Sequence, residues 1–353
     1  MKKSLKMGSA FIGIIVGAGF ASGQEILQYF TSFGHLGTLA AILATALFAY
    51  MGMSLTRLGS RMQTTSHKEA VYGIGGKIGG FIMDAIIILT LFGVGVVMIA
   101  GAGSIFSQQF GLPAVLGNTV MALIVMATIM LNVKKIIAII GSITPFLVVM
   151  VIGLAIYSLL TMDASFATLE PIAKEQNSAV SNWFYSAINY VSFNIAVGAS
   201  MAIVMGGVEK DEKIAARGGL IGGLGLGILI ILSHLAIFST VDSVGNSDMP
   251  ILKMANDISP IFGVFISLIL FAMIYNTAVS MLFSFTARFA ELNTKRFKIT
   301  VVIVVTLAYL LSFRGFTSLV SEFYPIIGFL GMFLVVSLFV ANIRHARNKK
   351  AST

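Results

Sequence analysis

One carboxylate in this chain stands inside a long apolar stretch, directly after a group of small residues. Glu25 follows Gly17, Gly19 and Gly23 between two blocks of Leu, Ile, Val and Phe. A carboxylate in such surroundings is costly unless it faces a cavity or a partner, where it can bind an amine or a cation or carry a proton. Glycines at this density permit a helix to break, and the released backbone amides and carbonyls can themselves bind solute and ions. The stretch therefore predicts a binding site at a discontinuous helix.

Composition predicts that this stretch lies in a membrane. The 353 residues are 57% hydrophobic and only 10% charged, and the mean hydropathy is +0.96. A soluble domain needs much more polar surface, whereas apolar runs of about 20 residues are typical of membrane-spanning helices. The sequence has no cysteine, so neither a disulfide framework nor a thiolate metal site is expected. The predicted class is an all-α polytopic membrane protein.

Apolar runs between polar breaks predict ten membrane-spanning helices. The predicted spans cover residues 8–31, 36–58, 80–107, 114–133, 136–161, 183–208, 218–240, 260–291, 299–313 and 316–342. Two short amphipathic pieces are predicted outside the spans. One is the stretch HKEAVYGIGGKIGG before the third span, and the other covers residues 250–257 before the eighth.

The positions of the basic residues predict the orientation of the spans. With ten spans both termini share one side, and all of the 23 lysines and arginines except Lys174, Lys253 and Arg314 then fall on that side. Basic residues hold loops on the cytoplasmic side, so both termini are expected in the cytoplasm. The net charge of +9 arises in these short segments between apolar runs, and no nucleic-acid partner is expected.

The spans divide into two halves of five, which predicts an inverted repeat. The predicted parts are a first transmembrane repeat at 1–161, an outer loop at 162–182, a second transmembrane repeat at 183–342 and a cytoplasmic tail at 343–353. An odd number of spans per half turns the second half upside down, as in many secondary transporters. GAGFA from Gly17 and GASMA from Gly198 match in the first helix of each half. We therefore predict backbone breaks near residues 17–23 and 197–200.

VGAGFASGQE in the first span, KKIIAIIGSITPFLVV in the fifth and YVSFNIAVGASMAIVMGGVEKDEKI in the sixth carry a family resemblance. They resemble the LeuT-fold transporters, which are the neurotransmitter–sodium symporters and the wider amino acid–polyamine–organocation superfamily. Over nearly its whole length the chain is also similar to YkvI-type bacterial membrane proteins. The resemblance implies a LeuT-like five-plus-five inverted repeat with broken helices one and six, in the bacterial cytoplasmic membrane.

The glycine-rich break and the resemblance together assign two groups of site residues. The predicted substrate-binding residues are Gly17, Ala18, Gly19, Ala21, Ser22, Gly23, Gln24, Glu25, Phe193, Asn194, Ala196, Gly198 and Ser200. The predicted sodium-binding residues are Gly13, Val16, Ala272, Asn276, Thr277 and Ser280. Phe20 stands where the family has a sodium-binding asparagine, so at most one sodium site is expected.

Three polar features outside these groups carry predictions of their own. Glu25 itself lies about 12 Å beyond Gly17 along a continuous helix, where it could carry a coupling proton, bind a substrate amine or pair with a gating residue. The alternative is a solvated carboxylate in an aqueous vestibule. His234 is expected to bond a neighbouring helix rather than relay protons. Arg314 and Glu322 are expected to pair with each other.

These observations predict a secondary active transporter, an ion-coupled symporter of a small organic solute, with an amino acid or related zwitterion favoured. The alternatives are a transporter-like membrane sensor or receptor, and a carrier of a quaternary amine or nucleobase. The expected partners are the solute and the lipid bilayer, for a monomer or homodimer. Sodium or a proton is expected as coupling ion, without another cofactor. Four scattered histidines do not suggest an enzyme or a metal centre.

Overall fold

The computed structural model describes residues 2–64, 67–130, 144–292 and 294–351, and in these ranges the chain is helical without a strand. The helices, numbered along the chain, are α1 Lys2–Ile15, α2 Ala18–Ser22, α3 Gln24–Tyr29, α4 His35–Met62, α5 His67–Phe110, α6 Ala114–Met130, α7 Thr144–Leu160, α8 Phe166–Lys174, α9 Trp183–Val208, α10 Glu212–Ser239, α11 Val241–Val244, α12 Pro250–Ile258, α13 Pro260–Thr286, α14 Lys295–Ser312 and α15 Phe316–Ala351. A short 3₁₀ turn, Thr31–Phe33, connects α3 to α4.

Six of these helices are long and apolar enough to cross a membrane, namely α4, α5, α9, α10, α13 and α15. Two shorter apolar segments, Ala114–Met130 and Val148–Leu160, correspond to the fourth and fifth predicted spans. Residues 131–143, which contain the end of the fourth predicted span and the start of the fifth, lie outside the described residues. The all-helical membrane class is confirmed. The count of ten spans and the five-plus-five arrangement stay predictions.

Glycines bring α4 and α10 into backbone contact. Gly52 of α4 faces Gly219 of α10, and a methyl group on either one would overlap the carbonyl oxygen of the other. Gly223 lies in the same way over the backbone of Phe48, and Gly222 lies against Phe11 of α1. Small residues permit this close approach of helices. The run GGLIGGLGLG in α10 is thus used for packing, and we call the contact between α4 and α10 the glycine seam.

The first predicted span is broken, as the sequence indicated. α1 ends at Ile15, Gly17 is extended (φ −92°, ψ −176°), and Gly23 adopts the left-handed conformation (φ 85°) between α2 and α3. Ser22 stabilises the break, because its hydroxyl donates to the Gly19 carbonyl (2.7 Å) and accepts from the Gln24 amide (3.2 Å). A side chain thus replaces backbone hydrogen bonds that the turn removes.

The predicted break in the sixth span is wrong. α9 runs as one α-helix from Trp183 to Val208 and passes through Gly198 without interruption. Gly198 serves close packing instead, since a methyl group there would overlap the end of the Ile15 side chain. Asn194 also supports the continuous helix, because its Nδ2 donates to the Tyr190 carbonyl one turn earlier (3.0 Å). The matching small residues in the two halves therefore have different uses.

Both amphipathic pieces expected outside the spans are helical. Residues 250–257 form most of α12, which packs over the break: a methyl group on Gly23 would press against Ile251. The stretch HKEAVYGIGGKIGG forms the start of α5, where Gly76 (φ 63°) interrupts the regular helix geometry. α12 therefore covers the break in the first span, and α5 begins with a kinked segment.

Candidate solute-binding cavity

A cavity of about 480 Å³ lies beside the broken first span. It is bounded by the α1–α3 segment, α5, α9, α13 and one residue of α15. Eleven predicted site residues line it: Gly13, Val16, Gly17, Gly19, Glu25, Phe193, Asn194, Ser200, Asn276, Thr277 and Ser280. Seven others do not line it: Ala21, Ser22, Gly23, Gln24, Ala196, Gly198 and Ala272. Ala18 begins α2, and its side chain is outside the described part of the chain.

Glu25 is the carboxylate of this cavity. Its side chain is 5% exposed, and its Oε2 accepts a hydrogen bond from the Tyr190 hydroxyl of α9 (3.1 Å). The carboxylate lies against Gly19, where a methyl group would overlap it. Within the described residues no lysine, arginine or histidine pairs with Glu25. Glu25 is therefore a buried carboxylate at the wall of the cavity, with one neutral hydrogen-bond donor. Its burial disagrees with the alternative of a solvated carboxylate in an aqueous vestibule.

Aromatic rings line part of the cavity, and others pack around the tyrosine that contacts Glu25. Phe193 and Tyr324 are stacked with ring centroids 4.1 Å apart, and both line the cavity. Tyr190 packs against Tyr29 (5.1 Å) and edge-on against Phe30 (5.0 Å). Phe193 and Tyr324 thus line the same cavity as the Glu25 carboxylate, which suits a ligand with an ammonium group because cations bind favourably over aromatic faces.

Neutral oxygen atoms of α13 and α9 also line the cavity. Asn276 Oδ1 of α13 and Ser200 Oγ of α9 are buried without a hydrogen-bond partner in the described structure. Thr277 and Ser280 lie on the same stretch of α13, and Gly13 and Val16 of the first span line the same cavity. The end of α1 leaves carbonyl groups of its last turn without intrahelical partners. Five of the six predicted sodium-binding residues therefore line this cavity, and Ala272 does not. The sodium site itself stays a prediction.

The cavity opens on the side where α1 begins. Ser284 and Met201 at this end are exposed, and Arg288 at the mouth forms an ion pair with Asp84 of α5. Lys3 of α1 pairs with Glu209 at the end of α9 (3.8 Å), which places both helix ends on this side. The open path thus runs from Glu25 at the inner end of the cavity to Arg288 at its mouth.

The other side is closed by contacts of α3 with distant parts of the chain. Gln28 donates to the Thr317 carbonyl at the start of α15 (3.2 Å). With its amide oriented to satisfy both ends, Gln24 donates to the carbonyls of Ser247 and Asp248 (3.2 Å each) and accepts from Gln28 (2.8 Å). Gln24 is therefore a residue of the closed side rather than of the cavity, which explains its absence from the lining.

Several lining residues were not predicted from sequence. Tyr324, Ser284 and Arg288 are the polar ones among them, and Tyr190 contacts the site through Glu25. Most of the apolar ones come from α5 and α9, and the others from α1 and α13: Ile87, Ile88, Leu91, Val94, Met98, Val197, Met201, Val204, Ile14, Ile15, Met273 and Met281. Sequence periodicity shows which face of a helix is apolar, but it does not distinguish a packed face from one that borders a cavity.

The other polar predictions are confirmed. His234 is fully buried, with Thr31 Oγ1 3.1 Å from its Nδ1 and Thr38 Oγ1 3.0 Å from its Nε2, so it joins α10 to the 3₁₀ turn before α4 and to α4 itself. Arg314 forms three hydrogen bonds to the Glu322 carboxylate, and this contact raises the pKa of the guanidinium. Neither residue belongs to the cavity.

Sequence comparison identifies the proteins to which this chain is similar. No protein-family model matches it. It is 26% identical over 338 residues to the uncharacterized membrane protein YkvI of Bacillus subtilis, with 93% of each chain covered. It is 27% identical over 332 residues to the protein YyaD of the same organism, again with 93% of each covered. The chain is a homologue of YkvI and YyaD.

Solved structures show which fold this YkvI homologue has. Mhp1 in its inward-facing conformation superimposes with a TM-score of 0.63 at 16% identity, covering 96% of this chain and 76% of Mhp1. MhsT in complex with L-phenylalanine gives 0.62 at 20% identity, with 96% of both chains covered. A Na⁺-coupled sialic acid symporter gives 0.60 at 13% identity, covering 96% and 79%. The fold is therefore that of the LeuT-type transporters, and these neighbours are transporters rather than enzymes.

Proposed function

We propose that this YkvI homologue is an ion-coupled secondary transporter of a small organic solute with an amino group, an amino acid or a related zwitterion. The observation that carries the proposal is the buried Glu25 carboxylate, which lies without a cationic partner among the described residues at the end of an open cavity. A buried charge of this kind requires compensation. A substrate ammonium group can supply it directly, and a coupling proton can neutralise it when the substrate is absent.

The size and lining of the cavity support a solute of amino-acid size. Small-molecule sites usually have volumes of about 300–1,000 Å³, and the cavity of about 480 Å³ falls in this range. Its apolar side chains come mainly from α5 and α9, so they suit a hydrophobic part of the solute. Phe193 and Tyr324, stacked in the same cavity as the carboxylate, suit the end that bears the amine.

The neutral oxygen atoms of the cavity support a coupling ion. Asn276, Thr277 and Ser280 of α13 line the same cavity as Gly13 and Val16 at the end of the first helix. Hard cations such as sodium prefer oxygen ligands of this type, and broken transporter helices present them. The Na⁺-coupled sialic acid symporter with the same fold supports sodium as the ion. A proton carried by Glu25 is the alternative, and no cofactor is proposed.

We propose alternating access as the mechanism, with the structure corresponding to the inward-open state. Under the predicted orientation, with both termini in the cytoplasm of a bacterial cell, the mouth at Ser284 and Arg288 faces inward. The likeness to inward-facing Mhp1 supports this reading. In this mechanism α1 and α4 of the proposed repeat 1–161 move together with α9 and α10 of the proposed repeat 183–342. These four helices move against the remaining ones. The glycine seam supports α4 and α10 as parts of one moving unit.

A carrier of a quaternary amine is the second candidate, because Glu25 and the surrounding rings also suit a permanently charged ammonium group. A thermal-shift screen of the purified chain separates the classes. Amino acids, quaternary amines and nucleobases are each titrated with sodium or with potassium, and a true ligand raises the transition temperature with its concentration. We expect an amino acid or related zwitterion to do so.

Uptake into proteoliposomes then tests transport against sensing. We expect the ligand from the screen to accumulate under an inward sodium or proton gradient, and Glu25→Gln to prevent this. Glu322→Gln is the matched control, because Glu322 is an exposed glutamate paired with Arg314 away from the cavity. Binding without any uptake would contradict the transporter and favour a receptor. Equal uptake by the Glu25 variant would contradict the proposed role of the carboxylate.

A further inference from the structure

A second pocket lies on the closed side of the protein. It has a volume of about 220 Å³ and is formed where the ends of α5, α6, α14 and α15 meet the loop before α12. Its polar side chains are Ser104, Asn118, Asp248, Ser312, Thr317 and Ser318. We call it the distal pocket. It shares no lining residue with the solute cavity, and the proposed transport mechanism does not use it.

Asp248 gives the distal pocket a negative charge. Its Oδ2 accepts from Ser104 of α5 and its Oδ1 from Thr317 of α15, each at 2.7 Å. Both donors are neutral hydroxyls, and within the described residues no basic side chain pairs with Asp248. Arg314, three residues before Thr317, instead donates hydrogen bonds to both carboxylate oxygens of Glu322. The charge of Asp248 is thus not compensated by the described part of the protein.

Asn118 is the second observation that points to a ligand. It is 4% exposed, it lines the distal pocket, and its Oδ1 has no hydrogen-bond partner. Nearly all buried amide oxygens in proteins are paired, so an orphaned one next to a pocket indicates a missing partner. The amide lies against Gly103 of α5, where a methyl group would overlap its Oδ1. Both Asn118 and Ser104 line the distal pocket.

We propose that the distal pocket binds a monovalent inorganic cation, with Asp248 as the charged ligand and Asn118, Ser104 and Thr317 as neutral oxygen ligands. One carboxylate balances one positive charge, whereas Ca²⁺ sites usually contain several carboxylates. The two hydroxyls now donate to Asp248, but each oxygen keeps acceptor capacity toward a cation. The distal pocket is also large enough for the ion to retain water molecules.

The distal pocket is connected to α3, the helix that carries Glu25. Gln24 donates to the carbonyl of Asp248, and Gln28 donates to the carbonyl of Thr317. A cation that pulls Asp248 toward Thr317 and Ser104 therefore also fixes the two residues that hold α3. Because these contacts close the side opposite to the cavity mouth, the bound cation stabilises the conformation in which the cavity is open.

Binding of ²²Na⁺ to the purified full-length chain, measured by scintillation proximity, tests the site. The measurement is made in an Asn276→Ala, Thr277→Ala background, which removes the predicted central sodium site. We expect saturable binding in this background, weakened at least about tenfold by Asp248→Asn, a loss of about 1.4 kcal/mol. Asp242→Asn is the matched control, because Asp242 is an exposed carboxylate of the neighbouring α11, and it should leave binding unchanged.

Each outcome of the ²²Na⁺ measurement either supports or overturns the proposed cation site. Absence of ²²Na⁺ binding in the background, or equal binding by its Asp248→Asn variant, overturns the proposal. Displacement of ²²Na⁺ by micromolar Ca²⁺ but not by millimolar Li⁺ or K⁺ overturns the monovalent assignment. Should Asp248→Asn fail to fold, Asn118→Ala and Thr317→Val replace it, and each is expected to weaken binding severalfold. Unchanged affinity in both of these would again overturn the proposal.

A labelling experiment tests the connection to α3. Because the sequence contains no cysteine, Ser284→Cys places a single thiol at the cavity mouth. The labelling is measured in the Asn276→Ala, Thr277→Ala background, which removes the predicted central sodium site. Sodium should raise the rate of maleimide labelling at this position when Asp248 is present. In the Ser284→Cys, Asp248→Asn chain the sodium effect should disappear. A sodium effect of the same size in both chains would show that the distal pocket does not control the opening.

Discussion

The first span and α9 begin the two predicted halves with similar small-residue motifs, yet only the first span is broken. In the first span Gly17 is extended and Gly23 is left-handed, so the end of α1 and two short helices replace one continuous helix. In α9 Gly198 is an ordinary helical residue. Glycine content alone therefore does not break a transmembrane helix. What differs is the set of contacts that each segment makes.

In the broken segment, side chains provide hydrogen-bond partners for backbone groups at the turn and for the Glu25 carboxylate. Ser22 bonds to the backbone on both sides of the turn, and Glu25 finds the hydroxyl of Tyr190. In α9 the side chain that could open the helix, Asn194, instead bonds back to its own preceding turn. Gly198 is occupied by the approach of Ile15 from α1. The contrast is between a segment that presents backbone to a cavity and a helix that supports it.

The largest effect is expected from Glu25→Gln, which keeps the shape of the broken segment and removes its charge. Substrate binding should weaken by about 2 kcal/mol or more, a factor of about thirty, because a buried ammonium group would lose its counter-charge. Transport should also lose its dependence on pH if Glu25 carries the coupling proton. Isothermal titration and proteoliposome uptake measure the two effects. A Gln variant with native affinity and an unchanged pH profile would remove Glu25 from the mechanism.

The next largest effect distinguishes the two glycine motifs directly. Gly23→Ala should destabilise the protein by about 1–2 kcal/mol, because alanine is strained at positive φ and its methyl group meets Ile251. Gly198→Ala should cost less than about 1 kcal/mol, since the flexible end of Ile15 can move and alanine favours a helix over glycine. Thermal unfolding in detergent compares the pair. Equal losses would mean that the two glycines have the same structural role after all.

A smaller effect is expected where α9 supports the broken segment. Tyr190→Phe removes the donor to the Glu25 carboxylate and should weaken substrate binding by about 1.5 kcal/mol, roughly tenfold. Tyr29→Phe is the matched control, because Tyr29 donates to Asn189 and not to Glu25. Its effect on binding should be smaller than that of Tyr190→Phe. The reverse order would show that the contact with Glu25 is not the one that matters.

The smallest effect concerns the end of α1 and its partner α13. Asn276→Ala, and separately Thr277→Ala, should raise the sodium concentration needed for half-maximal uptake about threefold to tenfold, through the loss of one neutral ligand. Ala272→Ser is the comparison variant, because Ala272 does not line the cavity and should leave sodium dependence unchanged. If native transport ignores sodium and follows a pH gradient alone, the sodium site is wrongly assigned.

The sequence predicted those features that depend on local composition. Helix α13, which begins at Pro260, follows from a long apolar run after a proline, and the break at Gly23 follows from glycines next to a carboxylate. The sequence could not show that Gly198 packs against Ile15 or that Tyr324 stacks on Phe193. These contacts join residues more than 100 positions apart and depend on the tertiary arrangement. The cavity was therefore predictable on its α1–α3 side and unpredictable on its α5 and α15 sides.

The glycine seam has a consequence for how hydrogen exchange should be distributed in this protein. Where Gly52 meets Gly219, and Gly223 meets Phe48, the contact is backbone against backbone with few side chains whose rotamers could change. Amides at such an interface exchange only when the two helices separate, which requires a larger opening than the fraying of a loop. The amide protons of α4 and α10 should therefore exchange as one slow block, at the same rate whether the cavity is open or closed. The short helices α2 and α3 should exchange faster and respond to solute.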